Sequence, residues 1–240
     1  MKKIIRNLFN KLGVDLHKYP PDRNLVIHRR GLIKTLEIDC VWDFGASDGK
    51  YGRELRADGY SGLMISCEPL HESYRKLKQS SASDQSWKLF QGAVGSETKE
   101  LDLVLSGNLD SSSLLDMKKR HIDAYPSSAA KGKQTAKVAT WESLIQEYKV
   151  NSGRWLAKVD VQGYEREVFK GAGSAMESLQ IIEIELSFFE LYQGQPLFQE
   201  MHQYFEANGF FLYWMEPGFI DHSKHEILQV ECLYLRDKAA

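Results

Sequence analysis

The chain is short of several features that would settle its class at once. It holds only three cysteines in 240 residues, Cys40, Cys67 and Cys232. None belongs to a C-x-x-C pair, so neither a disulfide framework nor a zinc ribbon is indicated. Each lies in an apolar run that reads as a strand, which predicts buried free thiols and a cytoplasmic protein. No run of about 18 apolar residues occurs, so no transmembrane helix is expected. Neither sign of charge is in excess: 31 Lys and Arg face 33 Asp and Glu, for a net charge of -2. No basic stripe interleaved with aromatics appears, so nucleic acid is not an expected partner. No internal repeat is visible. The chain does have 42% hydrophobic residues, ample for a core, in a length that suits one α/β domain.

The opening "MKKIIRNLFNKLGVDLHKYP" has a basic start, but Arg6, Asn7, Asn10 and Lys11 break any apolar core, so it is not a secretory signal. Ile4, Ile5, Leu8, Phe9 and Leu12 recur at helical spacing before Gly13. Two readings stand: a helix packed on the domain, or one in weak contact with a membrane surface. "NLVIHRRGLIKTLEI" predicts a second helix. The expected division is an N-terminal helical segment over 1–38 and one domain over 39–240.

From Cys40 onward, strands and helices alternate, the pattern of a parallel sheet flanked by helices. The strands are predicted at 40–44, in "GLMISCE" and in "WKLFQGAVGS". "KELDLVLSG" reads as an edge strand or hairpin. The stretch 107–137, with "KGKQTAK" near its end, reads as a solvated surface excursion. "WLAKVDV" and "QIIEIELSFFE" are further strands, and "PLFQEMHQYFEANGF" is a helix ending at Gly209. Two final strands joined by a loop close the chain.

The turn "GASDG", Gly45 to Gly49, follows the first strand directly. Glycines there let the backbone approach a ligand and turn into a helix, whose first N–H groups are free. Glu68 ends the next strand, where a carboxylate accepts from ribose hydroxyls. The G-x-G-x-x-G spacing of a dinucleotide site is absent, and Asp48 would repel a pyrophosphate. Carboxylates at Asp43 and Asp48 suit a cationic ligand instead. S-adenosylmethionine carries an ammonium and a sulfonium.

In "LAKVDVQGYE", period two puts Lys158, Asp160 and Gln162 on one face. In "IIEIELSFF" it groups Glu183 with Glu185. Central parallel strands are usually apolar on both faces. Charges there need a partner or a wet cleft. Lys158 reads either as a structural ion pair with Glu183 or Glu185 or as part of a site. Asp160 and Glu185 are the catalytic candidates, as base or as holder of an acceptor hydroxyl.

"WDFGASDGKYGRELRADGYSGLMISCEPL", "GAVGS", "SSSLL", "KVDVQGYEREVFKGA" and "IEIELSFFELYQGQ", in this order, resemble the FkbM family of S-adenosylmethionine-dependent methyltransferases, from about Asp39 to the C-terminus. The resemblance implies an α/β class I methyltransferase (Rossmann-like) fold: a seven-stranded sheet with an antiparallel last strand and helices on both faces. It implies O-methylation, often of sugar or natural-product hydroxyls. It places Asp43, Gly45, Ala46, Asp48 and Gly49 around the methionine part, Glu68 on the ribose, and Ala93 and Val94 by the adenine. Ser47, Pro69, Ser113 and Asp160 complete the expected cofactor set. Ser47 stands where the family commonly has Asn, and Trp141-Glu142 where it commonly has Leu-Asp.

Other residues keep two readings. "SSSLL" is either a cofactor-side turn, with Ser112 or Ser113 donating to a carboxylate, or an ordinary turn. His121 reads as a solvated loop histidine or as a cover over the acceptor, and His28 as structural. His222 and His225, beside Asp221 and Glu226, lack further matched ligands, so no metal is expected. Phe188, Phe189 and Tyr192 form either an acceptor wall or helix–sheet packing. The expected function is an S-adenosylmethionine-dependent O-methyltransferase acting on a small molecule or glycan. A non-catalytic cofactor-binding scaffold or regulator and an NAD-dependent oxidoreductase are the alternatives.

Overall fold

A computed structural model describes residues 24–237. The helix expected over Ile4 to Leu12 lies outside the described residues. The first described helix, α1 (Leu25–Thr35), starts where the Asn24 side chain accepts from the Val26 N–H, satisfying one of the donors that a helix start leaves free.

Strands β1 (Cys40–Phe44), β2 (Leu63–Cys67) and β3 (Trp87–Phe90) alternate with helices α2 (Lys50–Ala57) and α3 (His71–Ser80). The two-residue β4 (Ala93–Val94), β5 (Lys99–Ser106) and β6 (Ala130–Ala139) follow, with the short helix α4 (Lys119–Ala124) between β5 and β6. Then come α5 (Trp141–Tyr148), β7 (Trp155–Val159), α6 (Glu165–Lys170), α7 (Ala175–Ser178), β8 (Leu179–Ser187), α8 (Phe198–Ala207) and β9 (Phe210–Pro217). A small hairpin, β10 (Ile220–Asp221) and β11 (Glu226–Ile227), precedes β12 (Gln229–Arg236).

Seven strands form one sheet in the order β3-β2-β1-β7-β8-β12-β9. β12 runs antiparallel to both β8 and β9, while β1, β2, β3, β7 and β8 are mutually parallel. This is the expected sheet with its antiparallel last strand. Alternation along each strand sends one set of side chains to each face. Trp42, Phe44, Ala157, Val159, Ile182 and Ile184 pack on one face with Trp141 of α5 and Phe205 of α8. Val41, Met64, Leu156, Ile181 and Leu233 pack on the other with Leu25 of α1, Leu55 of α2 and Leu77 of α3. Cys40, Cys67 and Cys232 are buried and free.

Two expectations need correction. "KGKQTAK" is no loop: β6 pairs antiparallel with β5 along its length and parallel with β4. Its alternation is masked because the outward positions carry lysine, while Ala136 and Val138 are the buried ones. The third strand also stops at Phe90, and Ala93–Val94 joins the separate sheet β4-β6-β5. Gln134 on β6 fastens that sheet to the turn after β2, donating to the Pro69 carbonyl at 2.8 Å.

The second sheet face changes character toward the strand ends. Beyond its apolar residues lie Asp43, Lys158 and Glu183. Arg29 of α1, 2% exposed, donates to Glu183 Oε1 at 2.9 Å, and the Tyr51 hydroxyl donates to Glu183 Oε2 at 2.9 Å. The reading of Lys158 as an ion pair with Glu183 or Glu185 therefore does not hold among the described residues: Arg29 takes Glu183, and Lys158 pairs with Asp160 at 3.1 Å.

Removing one partner of a buried ion pair strands the other charge. Arg29→Met is expected to cost about 3–5 kcal/mol in urea unfolding. The double variant Arg29→Met/Glu183→Leu should recover much of that loss. A single variant as stable as the parent would contradict this role.

Candidate active site

The site is built where β1, β2 and β7 end. The N–H groups of Gly45 and Ala46 both donate to the Cys67 carbonyl, at 3.0 and 3.1 Å, so the turn after β1 is folded against the end of β2. Gly45 has φ +80°, and a Cβ there would sit 1.8 Å from the Asp160 carbonyl oxygen. Only glycine lets the ends of β1 and β7 pass this closely. Ser47 also adopts positive φ, +47°, which turns its N–H onto Glu68 Oε2 at 2.7 Å.

Glu68 is 4% exposed. Its other oxygen accepts from the Leu70 N–H at 2.8 Å. Burial pushes its carboxyl up to about 7, partly opposed by these two backbone bonds. Each oxygen has two acceptor positions. One stays available on each, the arrangement that a ribose diol needs.

A cavity of about 160 Å³ opens beside Glu68. Gly45, Ser47, Glu68 and Pro69 line one side, and Ser113, Asp160 and Gln162 line another. Leu70, Ala93, Val94, Leu103 and Leu114 make the remaining wall apolar. Polar groups for an amino-acid part, a carboxylate for a ribose and an apolar wall for a purine occur in one cavity. The residues present therefore fit S-adenosylmethionine.

The other expected cofactor residues lie outside this lining. Asp43 is buried beneath the turn, where Oδ2 accepts from the Ser66 hydroxyl at 3.0 Å. Its Oδ1 has no hydrogen-bond partner among the described residues. Burial raises its pKa, against the opposing pull of Lys158 and Ser66. Ala46 is buried. Asp48 accepts from the Lys50 N–H at 2.9 Å and pairs with Arg53 at 3.2 Å. Gly49 packs α2 on α3: a Cβ there would meet Leu77 at 2.8 Å.

A second cavity, of about 260 Å³, adjoins the first. Asp110 and Gln162 line both. Glu185, Gln229 and His121 line the second, with Tyr125 and Phe219 as its aromatic surface. Glu185 Oε2 accepts from Gln229 at 2.7 Å and from Gln162 at 3.3 Å. Burial, then the nearby carboxylates Asp160, Glu231 and Glu165, raise the Glu185 pKa well above its usual range. Asp160 Oδ1 accepts from Gln162 Nε2 at 2.6 Å. Lys158 is raised too: burial lowers it, but Asp160 and Asp43 outweigh that.

His121 corrects a further expectation. It is 2% exposed rather than solvated, and it packs edge-on to Tyr192 and against Phe219. Burial lowers its pKa to about 4, so it is neutral at pH 7. Phe188 and Phe189 line neither cavity. Among the described residues, no three His, Cys, Asp or Glu side chains are grouped to hold a metal, and no helix is long and apolar enough to cross a membrane.

Sequence reasoning missed Asp110, Gln162, Gln229 and Phe219 as site residues. Gln162 shares the face of Lys158 and Asp160 in the alternation and was legible from it. Asp110 arrives from the β5–β6 connection and Phe219 from the β9–β12 connection, whose paths no local pattern specifies, and Gln229 opens β12 directly after the latter.

The Methyltransferase FkbM domain family model matches residues 43–212. The crystal structure of methyltransferase FkbM from Methylobacillus flagellatus is similar, with 14% identity and a TM-score of 0.53, over 83% of this chain and 44% of that one. This chain thus spans less than half the length of that protein. A putative RNA methyltransferase from Pyrococcus horikoshii gives 12% identity and a TM-score of 0.46, over 99% of this chain and 100% of that one. The magnesium protoporphyrin IX methyltransferase from Synechocystis, with its bound S-adenosylmethionine, gives 11% and 0.44, over 98% and 97%. No curated protein sequence matches.

The close pass at Gly45 sets a test. Gly59 also has positive φ, +91°, but a Cβ there meets nothing within 4 Å. Gly59→Ala should cost only the left-handed backbone, about 1–2 kcal/mol. Gly45→Ala should cost distinctly more in chemical denaturation, because the end of β7 must move. Equal losses would contradict the packing role.

Proposed function

The chain belongs to the FkbM methyltransferase family, and from that premise we propose that it methylates a hydroxyl of a small molecule or glycan. It is an S-adenosylmethionine-dependent methyltransferase; the hydroxyl acceptor, the residue roles and a cytoplasmic location are the proposal. The observation that carries the reading is the meeting of two cavities at Gln162, with Asp160 on one side and Glu185 on the other.

S-adenosylmethionine supplies an electrophilic methyl on a sulfonium. Glu68 accepts from the ribose hydroxyls, and the apolar wall with Ala93 and Val94 holds the adenine. Gly45, Ser47, Pro69 and Ser113 shape the donor side. Asp43, Ala46, Asp48 and Gly49 support the turn from behind. Asp160 places a negative charge at the boundary, toward the sulfonium. The chain's main task is to align acceptor oxygen, methyl and sulfur, which supplies much of the acceleration of such a displacement.

With the cofactor bound, Glu185 would take the proton of the acceptor hydroxyl as the C–O bond forms and the methyl–sulfur bond breaks, S-adenosylhomocysteine being the leaving group. Its raised pKa makes it a stronger base than an ordinary carboxylate. Tyr125 and Phe219 offer an aromatic face, and Asp110 and Gln229 offer hydrogen bonds, a lining suited to a hydroxylated ring. Among the described residues no lysine or arginine lines this cavity, which supports an acceptor other than a phosphate-rich RNA.

Glu185→Gln and Asp160→Asn are each expected to lower kcat about 10²–10⁴-fold while S-adenosylhomocysteine still binds. Wild-type turnover in both, or methylation of RNA in place of hydroxylated small molecules, would overturn the reading.

Glu68 sets a pH dependence. Its carboxyl titrates near 7 in the free protein, and only the ionised form accepts both ribose hydroxyls. Affinity for S-adenosylhomocysteine should therefore be full above pH 7 and fall about tenfold per pH unit below it. The stability effect has the opposite sign: a raised carboxyl favours the folded state at low pH and loses that contribution as pH rises through 7. Calorimetry on Glu68→Gln should show weaker binding without this slope; the same slope in the variant would rule Glu68 out.

A further inference from the structure

We infer that Gln162 and Tyr192 form one positioning unit that fixes the orientation of Asp160 and Glu185 between the donor and acceptor cavities. The inference rests on the reading that these two carboxylates act in methyl transfer. It concerns residues that touch neither the sulfonium nor the reacting oxygen in that scheme.

Gln162 is held in an unusual conformation. Its φ is +53°, and Gly163 follows at +97°. Left-handed backbone at a non-glycine residue costs free energy and persists where surrounding contacts impose it. Those contacts are present on every polar atom of the residue except its own N–H. Nε2 donates to Asp160 Oδ1 at 2.6 Å and to Glu185 Oε2 at 3.3 Å. Oε1 accepts from the Tyr192 hydroxyl at 2.7 Å. The backbone carbonyl accepts from the Ser113 hydroxyl at 2.6 Å.

The amide can face only one way. Two carboxylate oxygens on one side require the nitrogen there; a flipped amide would set its oxygen against both. Tyr192 meets the amide oxygen from the other side. Its side chain is fully buried. Burial first, then Glu185 and Asp160, raise its pKa, so the hydroxyl stays protonated and donates. Its backbone is fixed as well, since Gln195 Oε1 accepts from the N–H groups of Leu191 and Tyr192. The Tyr192 hydroxyl also lies 3.0 Å from the Ser111 carbonyl and 3.3 Å from His121 Nε2. The unit thus reaches the loop that walls both cavities.

Charged groups face Glu185 from three further directions: Asp160 and Lys158 on β7 and its end, Glu231 on β12, and Glu165 on α6. Lys158 is already engaged with Asp160. The Gln162 and Gln229 amides are therefore the groups that favour the ionised form of Glu185 by direct donation. Removing the Gln162 donor makes ionisation harder and moves the acid limb of the rate profile to higher pH.

The test compares Tyr192→Phe and Gln162→Met with the parent. It measures kcat and KM, the pH dependence of kcat/KM, S-adenosylhomocysteine affinity, and the Glu185 carboxyl titration by ¹³C NMR, assigned with Glu185→Gln. Hydrogen bonds to charged groups set the scale. Gln162→Met should lower kcat about 10–100-fold, and Tyr192→Phe should lower it less, with ligand affinity retained in the latter. The Glu185 titration should move to higher pH in both. Tyr192→Phe with parental kcat and parental Glu185 titration would overturn the inference. So would a lowered Tm with an unmoved titration, which marks Tyr192 as packing only. If the titration moves but no hydroxyl acceptor turns over, the positioning unit stands and the O-methylation reading falls.

Discussion

Repulsion among half-buried carboxylates is the constraint that organises this molecule. Glu185, Glu231 and Glu216 are register partners on β8, β12 and β9. Asp160 follows Val159, which pairs with Ile184, and so comes level with Glu185. Carboxylates side by side cannot all ionise in a partly dry setting. Burial, then Asp160, push the Glu231 carboxyl up to about 7, and Glu185 is raised well above the usual carboxylate range. An ordinary core would place apolar residues at these positions. Their presence on one face, next to two cavities, marks that end of the sheet as chemical rather than structural.

The cations and donors around the row divide the work. Arg29 reaches from α1 to Glu183, while Tyr51, just beyond the glycine turn, holds the same carboxylate. The Arg29 guanidinium lies 4.5 Å from the centre of the Tyr51 ring. Lys158 is left for Asp160, and Gln162 links Asp160 to Glu185. The Lys158 ammonium lies 5.8 Å from the centre of the same Tyr51 ring, so the group held by the first described helix sits beside the chain that runs from Lys158 through Asp160 and Gln162 to Glu185. The helix before β1 is part of what holds the site in place, not an attachment to it.

The sheet was largely legible in the sequence. Apolar runs at Cys40, Leu63, Trp155 and Gln180 are long enough, and their punctuation by Gly45, Gly59 and Gly163 sharp enough, to give strand and turn directly. Glu68 was legible because its place after the second strand is set by the strand itself. Two things were hidden. The outward lysines of β6 disguised a strand as a solvated loop, since its buried positions hold only small or short side chains. The partner of Lys158 was also hidden, because Arg29 lies 154 residues from Glu183 and no local period connects them. The acceptor wall suffers the same difficulty: Asp110, His121 and Phe219 meet only through the folded path of two long connections.

The most direct measurement is thermal unfolding with S-adenosylhomocysteine and, separately, with NAD. A ligand at about 100 times its dissociation constant adds about 2.7 kcal/mol. For a chain of this size that raises Tm by about 5–10 °C. The account predicts that rise with S-adenosylhomocysteine and none with NAD. A rise with NAD alone would contradict it, because the turn at Gly45 and the carboxylate at Glu68 would then serve a different cofactor.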